Sequence, residues 1–315
     1  MKHREISHEQ RGSSMPEGMI IKALSGYYYV RPDEGGDPVQ CRARGIFKKR
    51  GVSPLVGDRV KFSETENGEG IVDEILPRST ELVRPPVANV DLAVLVFSVV
   101  HPDLNLLLLD KFLVHTESAG LDALIVFTKF DAADGEPDRE RIVESVEAAR
   151  QLYESIGYGS LVTSARRGEG IEELKRRLSG RISVFAGQSG VGKSSLLNAL
   201  VPGLKLETSE ISKKLGRGRH TTRHVELVPL PGGGYVADTP GFSQLDFAEL
   251  GVDEIGSCFR EFRELAEGCK FRGCTHVHEP GCAVLAAKER GEIAESRYAN
   301  YLEFMTEWKE NRRRY

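Results

Sequence analysis

The run Gly187-Gln-Ser-Gly-Val-Gly-Lys-Ser194 constrains this chain more than any other stretch. It fits G-x-x-x-x-G-K-[ST], a loop that cradles phosphate between a strand and a helix. Arg181-Ile-Ser-Val-Phe-Ala186 before it is short and apolar enough for a buried strand. Ser195-Leu-Leu-Asn-Ala-Leu200 after it carries apolar residues at helical spacing. Strand, glycine loop and helix call for a parallel α/β sheet around them. Gly187, Gly190 and Gly192 let backbone N–H groups turn inward on a phosphate, and the helix N-terminus adds partial positive charge. The motif assigns Lys193 to the outer phosphates and the Ser194 hydroxyl to Mg²⁺. Gln188, Ser189, Val191 and Ser195 complete the nucleotide cradle.

The surroundings supply that sheet. Asp91–Val100 and Leu121–Phe127 read as strands buried on both faces, and Leu161–Ala165 as a third strand end. Leu104–Ala119, Arg139–Ile156 and Ile171–Leu178 have helical spacing between them. Ligands of such sheets sit at the carboxyl ends of the strands. Thr128-Lys-Phe-Asp131 and Ser164-Ala165 fall there, with the phosphate loop. Lys129 and Asp131 fit the guanine-reading pattern N/T-K-x-D, with Thr128 in place of the commoner Asn. A carboxylate can accept two N–H bonds from guanine, and adenine presents no such donor pair. Thr163-Ser-Ala165 suits a loop whose backbone N–H reads the guanine carbonyl.

Downstream, Pro202–Arg223 is a long polar loop, and loops of that length in compact domains are usually functional or mobile. Thr222, or its neighbour Thr221, is placed to complete the Mg²⁺ shell. Val225–Leu230 and Gly234–Asp238 read as a β-hairpin running into Asp238-Thr-Pro-Gly241. That string fits D-x-x-G, with the Asp holding Mg²⁺ through water and the Gly N–H on the γ-phosphate. Together the pieces resemble a circularly permuted GTPase: base recognition first, then the phosphate loop, the switch threonine and D-x-x-G.

On either side lie two smaller regions. Residues 1–15 are polar and aperiodic, and read as a disordered tail. From 16 to 80 come five short strands, Met19–Leu24, Tyr27–Val30, Val39–Ala43, Arg59–Phe62 and Gly70–Ile75, with turn residues between them. They suit a small closed barrel of the oligonucleotide/oligosaccharide-binding (OB) kind, with a src-homology-3-like barrel as the alternative. Arg42, Arg44, Lys48, Lys49 and Arg50 cluster on one strand and the loop after it, near Tyr27–Tyr29. Cations for phosphate beside aromatics for stacking make a nucleic-acid face; a solvated basic loop is the other reading. After Asp246, Cys269, Cys274, His276 and Cys282 form C-x₄-C-x-H-x₅-C, three thiolates and one imidazole that close a tetrahedral structural Zn²⁺ site. Cys258 lies outside that spacing and reads as core. Helices are expected over Asp253–Glu267, Ala283–Arg290 and Ile293–Arg314. Lys270, Arg272 and Arg312–Arg314 add positive charge there, as RNA contacts or as solvated faces.

Composition agrees with a soluble multidomain protein. The chain has 315 residues, 40% of them hydrophobic, and a net charge of −4, so nucleic-acid contact falls to local patches. The Leu92–Val100 run is too short to span a bilayer, and the polar N-terminus lacks a signal core, which points to the cytoplasm.

In this order, the motifs resemble the small ribosomal subunit biogenesis GTPases of the RsgA type across nearly the whole chain. The resemblance implies an N-terminal OB-fold β-barrel (16–80), a central circularly permuted α/β P-loop GTPase (81–245) and a C-terminal helical zinc-binding domain (246–315). It implies binding of the small ribosomal subunit and its rRNA; separately from the resemblance, the chain is expected to be a monomer. It also implies hydrolysis of GTP to GDP and phosphate, stimulated by that subunit late in its maturation. Phe242 stands where many GTPases place a water-orienting Gln, so slow intrinsic hydrolysis is expected. The family's candidate replacement is a switch-loop histidine, here His220, with His224 the second candidate. Two other classes stay open: an RNA-binding switch with negligible hydrolysis of its own, and an ATPase or tRNA-modifying P-loop enzyme, against which Asp131 argues.

Overall fold

The computed structural model describes residues 15–65, 67–83, 85–201, 203–204, 225–237, 247 and 250–313. Two compact units divide at Arg78/Ser79.

The first unit is a barrel of β1 (Glu17–Leu24), β2 (Tyr27–Pro32), β3 (Val39–Ala43), β4 (Arg59–Glu64) and β5 (Gly70–Ile75). Alternation along these strands points Ile20, Val30, Cys41, Val60, Phe62 and Val72 inward, all fully buried. A simple meander would pair β3 with β4. Here β3 pairs in parallel with β5 (Arg42 opposite Ile71), β5 pairs with β4, and β4 returns to β1 (Val60 opposite Gly18). That Greek-key closure is the OB arrangement and decides between the two barrel readings. The basic segment after β3, expected as a loop, holds a short helix, α1 (Gly45–Lys49). Its one buried residue, Phe47, anchors it to the barrel; a single apolar position has no period to read.

The second unit opens with a small hairpin, β6 (Glu81–Leu82) and β7 (Val87–Ala88). Its main sheet holds β8 (Leu92–Ser98), β9 (Asp122–Thr128), β10 (Gly159–Val162), β11 (Ile182–Ala186), β12 (Val225–Pro229) and β13 (Tyr235–Ala237). The order is β10-β9-β8-β11-β13-β12, parallel throughout except for β12. Every residue of β8 and β11 is buried, as a sheet covered on both faces requires. The helices are α2 (Leu106–Ser118), α3 (Arg139–Ser155), α4 (Ile171–Leu178) and α5 (Lys193–Leu200). The third strand starts two residues and ends three residues earlier than its apolar run suggested. Thr163 N–H still bonds the Phe127 carbonyl of β9 (2.7 Å), and the chain leaves the sheet at Ser164, whose N–H bonds the Glu169 carbonyl (3.0 Å) and closes a turn.

Among the described residues four further helices follow: α6 (Val252–Ser257), α7 (Arg260–Ala266), α8 (Ala283–Glu289) and α9 (Glu295–Arg313). The single helix expected over 253–267 is broken at Cys258–Phe259, where Phe259 is extended (φ −90°, ψ 108°). The break lets Phe259 turn into a core shared with Phe262, Tyr301 and Phe304. Cys258 is buried there, as expected. Helix α2 belongs to the same core through Val114 and Leu107.

A buried polar network crosses between α2 and these C-terminal helices. The Arg297 guanidinium donates to Asp110 Oδ1 (2.5 Å) and to both oxygens of Glu261 (2.7 and 3.0 Å). The Tyr153 hydroxyl and Asn300 amide donate to the same Asp110 carboxylate, each at 2.6 Å.

Candidate nucleotide site and metal centre

The carboxyl ends of β9, β10 and β11 bring the phosphate loop against the T-K-x-D turn. Gly187 follows β11 at φ +146°, and a Cβ there would lie 2.2 Å from the Val96 carbonyl oxygen. Only glycine lets the loop leave the sheet so close to β8. Gly190, at the tip of the loop, stands apart from its neighbours: a Cβ there would meet nothing within 4 Å. Its demand for glycine is conformational, since its φ of +83° lies in the left-handed region. Gly192 packs on the turn: a Cβ would meet Thr128 Oγ1 at 3.7 Å and the Lys129 stem at 3.9 Å. The Thr128 hydroxyl donates to the Val191 carbonyl, tying the turn to the loop.

Lys129 takes the left-handed conformation (φ 58°), and its ammonium donates to the His101 carbonyl. Asp131 is held from the side: Ser164 Oγ donates to its Oδ1 at 2.6 Å. Ala165 follows on the same turn and packs at the edge of the sheet core. Asp134 braces the far side of this turn by ion pairs to Arg139 (2.7 Å) and Arg167 (2.6 Å). The carboxylate of Asp131 is thus fixed by Ser164, on the same turn whose Thr128 and Lys129 pack against Gly192. Such a group can accept a paired set of N–H donors from a flat base.

Lys193 begins α5, and its ammonium donates to the Gly187 (2.7 Å) and Gln188 (2.6 Å) carbonyls. Burial pushes this amine down to about 8. Among the described residues its partners are neutral carbonyls, and an ammonium so placed is well suited to take an anionic phosphate. Ser194 and Ser195 lie in the first turn of α5, behind the glycines. His220, Thr221, Thr222, His224, Asp238, Gly241 and Phe242 lie outside the described residues.

The second cluster is Cys269, Cys274, His276 and Cys282, whose ligand atoms all lie within 4.8 Å of one another. Cys269 Sγ is 3.6 Å from His276 Nδ1 and 3.8 Å from Cys282 Sγ; His276 Nδ1 is 3.4 Å from Cys282 Sγ. Zn–S bonds near ~2.3 Å and a Zn–N bond near ~2.0 Å put tetrahedral ligands about 3.5–3.8 Å apart, so the donor set fits that ion. The supporting contacts come from outside the motif. The Tyr298 hydroxyl donates to the His276 carbonyl (2.9 Å), and Tyr301 does the same for Thr275. Glu279 accepts from the backbone N–H groups of Thr275 (2.9 Å), Val277 (3.0 Å) and His278 (3.1 Å). Burial opposes its charge, yet these donors and the Thr275 hydroxyl hold the carboxyl well below the usual range.

Family models match both units: the RsgA N-terminal domain over residues 17–72 and the RsgA GTPase over 75–248. The chain belongs to the RsgA GTPase family. Curated relatives named "Small ribosomal subunit biogenesis GTPase RsgA" are 56% identical in Geobacillus thermodenitrificans and 53% in Bacillus anthracis. In both cases the match covers 96% of this chain and 100% of the relative. Among solved structures, "YloQ, a circularly permuted GTPase" superposes with a TM-score of 0.82 at 43% identity, covering 97% of this chain and 99% of that one. YjeQ from Thermotoga maritima gives 0.82 at 38% identity, covering 94% and 99%.

As a member of the RsgA GTPase family the chain is a GTP hydrolase, and the family implies use of Mg²⁺. Its fold is the N-terminal barrel, the permuted GTPase sheet and the C-terminal helical region with a Cys₃His cluster that could hold a metal. The structure gathers Thr128, Lys129, Asp131, Ser164 and Gly187–Ser195 on one edge, and all four cluster residues in another place. The sequence motifs passed over the supporting groups: the His101 carbonyl, Asp134 with Arg167, Glu279, and the Tyr298 and Tyr301 hydroxyls. Glu279, between His276 and Cys282 in sequence, carried the one readable signal. Among the described residues, no helix is long and apolar enough to cross a membrane.

Proposed function

We propose that this RsgA-family GTPase acts on the small ribosomal subunit late in its maturation, hydrolysing GTP to GDP and phosphate at a rate raised by the subunit. The observation that carries the guanine assignment is the packing of Gly192 on Thr128 and Lys129, with Asp131 fixed by Ser164. In this reading Thr128, Lys129, Asp131, Ser164 and Ala165 hold the base. Gly187 to Ser195 hold the phosphates, with Lys193 stabilising charge on the γ-phosphate. Ser194 and Thr222 ligate Mg²⁺, with Asp238 acting through water and the Gly241 N–H on the γ-phosphate. Cys269, Cys274, His276 and Cys282 hold one structural Zn²⁺. The domains run 16–80, 81–245 and 246–315 after a tail of residues 1–15, in a cytoplasmic monomer.

The ribosome assignment comes from the names of the relatives and from the barrel surface. There, Arg42 lies 4.7 Å over the Tyr27 ring, and Tyr28, Arg44, Phe47 and Lys48 line the same groove of about 640 Å³. Aromatic faces beside guanidinium groups suit rRNA. Phe242 cannot orient water by hydrogen bonding, so turnover without the subunit is slow, and His220 is the residue to complete the site when the subunit binds. His220→Ala is expected to keep GTP affinity and lose subunit-stimulated turnover; unchanged stimulated turnover removes His220 from the mechanism. Tight ATP binding in a nucleotide competition assay would sink the guanine assignment.

A further inference from the structure

The parallel sheet has a second charged edge, at the amino ends of its strands. Leu92, Asp122 and Gly159, at the starts of β8, β9 and β10, line a cavity of about 230 Å³ with Arg177, Arg181 and Arg260. It sits across the sheet from the phosphate loop, at the far end of β11, whose five residues span about 16 Å. A nucleotide in the GTP site therefore does not reach it.

The three arginines are not equally committed. Arg260 donates to Glu117 (2.6 Å) and to the Gly157 carbonyl (2.7 Å), and stacks 4.1 Å over Tyr158, so it is part of the frame. Arg177 uses Nε on Glu173 (2.9 Å) and turns Nη1 toward the cavity. Arg181 approaches Asp122 only to 3.9 Å, beyond hydrogen-bond distance. Side chains of both are about half exposed, at 53% and 45%. Among the described residues, the lining guanidinium groups Arg177, Arg181 and Arg260 meet one carboxylate each, Glu173, Asp122 and Glu117. Asp122 alone of these carboxylates lines the cavity, and at 3.9 Å it leaves the Arg181 guanidinium, with Arg177 Nη1, turned to an incoming anion. A Cβ at Gly159 would stand in the recess at ordinary contact distance, 3.4 Å from Leu124 Cδ1 and 3.7 Å from Arg177 Nη1. The φ of Gly159 is not in the left-handed region, so backbone conformation does not demand glycine.

We propose that this cleft seats one backbone phosphate of RNA between Arg177 and Arg181, giving the GTPase sheet its own RNA contact apart from the barrel. Two guanidinium forks around an open recess match the tetrahedral oxygens of a phosphodiester. The partner follows from the ribosome reading above, on which this proposal rests.

The test measures binding of the full chain, with a non-hydrolysable GTP analogue, to small subunits and to their naked RNA across a salt series. Removing one phosphate interaction should flatten the log K against log[salt] slope by roughly 0.7–0.9. Arg177→Gln/Arg181→Gln is expected to weaken binding about tenfold at low salt and flatten the slope by about one such step. Gly159→Ala, which keeps every charge, is expected to weaken binding in the same direction by crowding the phosphate position beside Arg177 Nη1. Both variants should retain wild-type melting and intrinsic GTP turnover. Wild-type affinity and slope in both variants overturns the cleft. Weaker binding by the arginine variant with none by Gly159→Ala overturns the seated phosphate in favour of diffuse charge. A wild type that binds neither subunits nor their RNA overturns the ribosome reading itself, and the cleft with it.

Discussion

Replacing Arg297 with Met leaves the Asp110 carboxylate without its counter-charge at a place where water does not reach. The exposures are 1% for the guanidinium and 0% for the carboxylate, with Nη1 and Oδ1 2.5 Å apart. Removing one partner of such a pair costs about 3–5 kcal/mol. In a unit of this size each kcal/mol moves Tm by ~2–4 °C, so melting should fall by roughly 6–20 °C. Glu261 loses the same partner but sits nearer the rim, at 11% exposure, and is rehydrated. The defect should also depend on pH. Burial already raises Asp110 above the usual carboxylate value, against the pull of Arg297 and the Tyr153 and Asn300 hydrogen bonds. Without Arg297 the folded value rises further above the unfolded one. The penalty is then absent below the unfolded value near ~3.9 and accumulates as pH rises toward the folded value. Differential scanning fluorimetry at pH 5 and pH 8 should therefore show the smaller loss at pH 5. Arg297→Met/Asp110→Asn removes the charge and should recover much of the loss, because the Asn oxygen still accepts from Tyr153 and its amide donates to the Asn300 oxygen once that side chain flips. A fall below about 2 °C, equal losses at both pH values, or no recovery in the double variant refutes the uncompensated-charge account.

The remaining expectations concern the two sites. Lys193 is held near 8 by burial, so above that pH the free protein loses a proton that a bound phosphate restores. Titration calorimetry of GDP in buffers of different ionisation heat should show about half a proton taken up per nucleotide at pH 8, falling toward none at pH 7. Uptake that stays flat across that range counts against the phosphate role of Lys193. Gly187→Ala places a methyl against the Val96 carbonyl at 2.2 Å, so GTP binding should fall by at least tenfold, and retained affinity contradicts the loop geometry. The cluster residues should hold one zinc per chain by atomic emission. Chelation or Cys282→Ser should lower the melting of the C-terminal helices, because His276 and Thr275 carry the carbonyls that hold Tyr298 and Tyr301.

The strands and phosphate-site motifs were legible because they depend on local rules. Val39–Ala43, Gly70–Ile75 and Ile171–Leu178 occupy the residues their patterns marked. Glycine loops and cysteine spacing likewise carry their chemistry in a few adjacent positions. What escaped depends on partners far along the chain. Asp110 and Arg297, 187 residues apart, read singly as solvated charges, and only the docking of α9 on α2 makes them a buried pair. The break at Cys258–Phe259 follows Gly256 and Ser257, weak helix formers whose signal the apolar pattern masked, and tertiary burial of Phe259 overrides helix propensity. Helix α1 is too short for a period, so the basic cluster that contains it looked like loop.

The central claim is a GTPase whose turnover answers to the small ribosomal subunit. Phosphate release from GTP, measured alone and with small subunits, large subunits or free RNA, tests it most directly. The account predicts slow release alone and a rise of at least tenfold with small subunits only. Equal rates in all four conditions, or stimulation by large subunits instead, would contradict it.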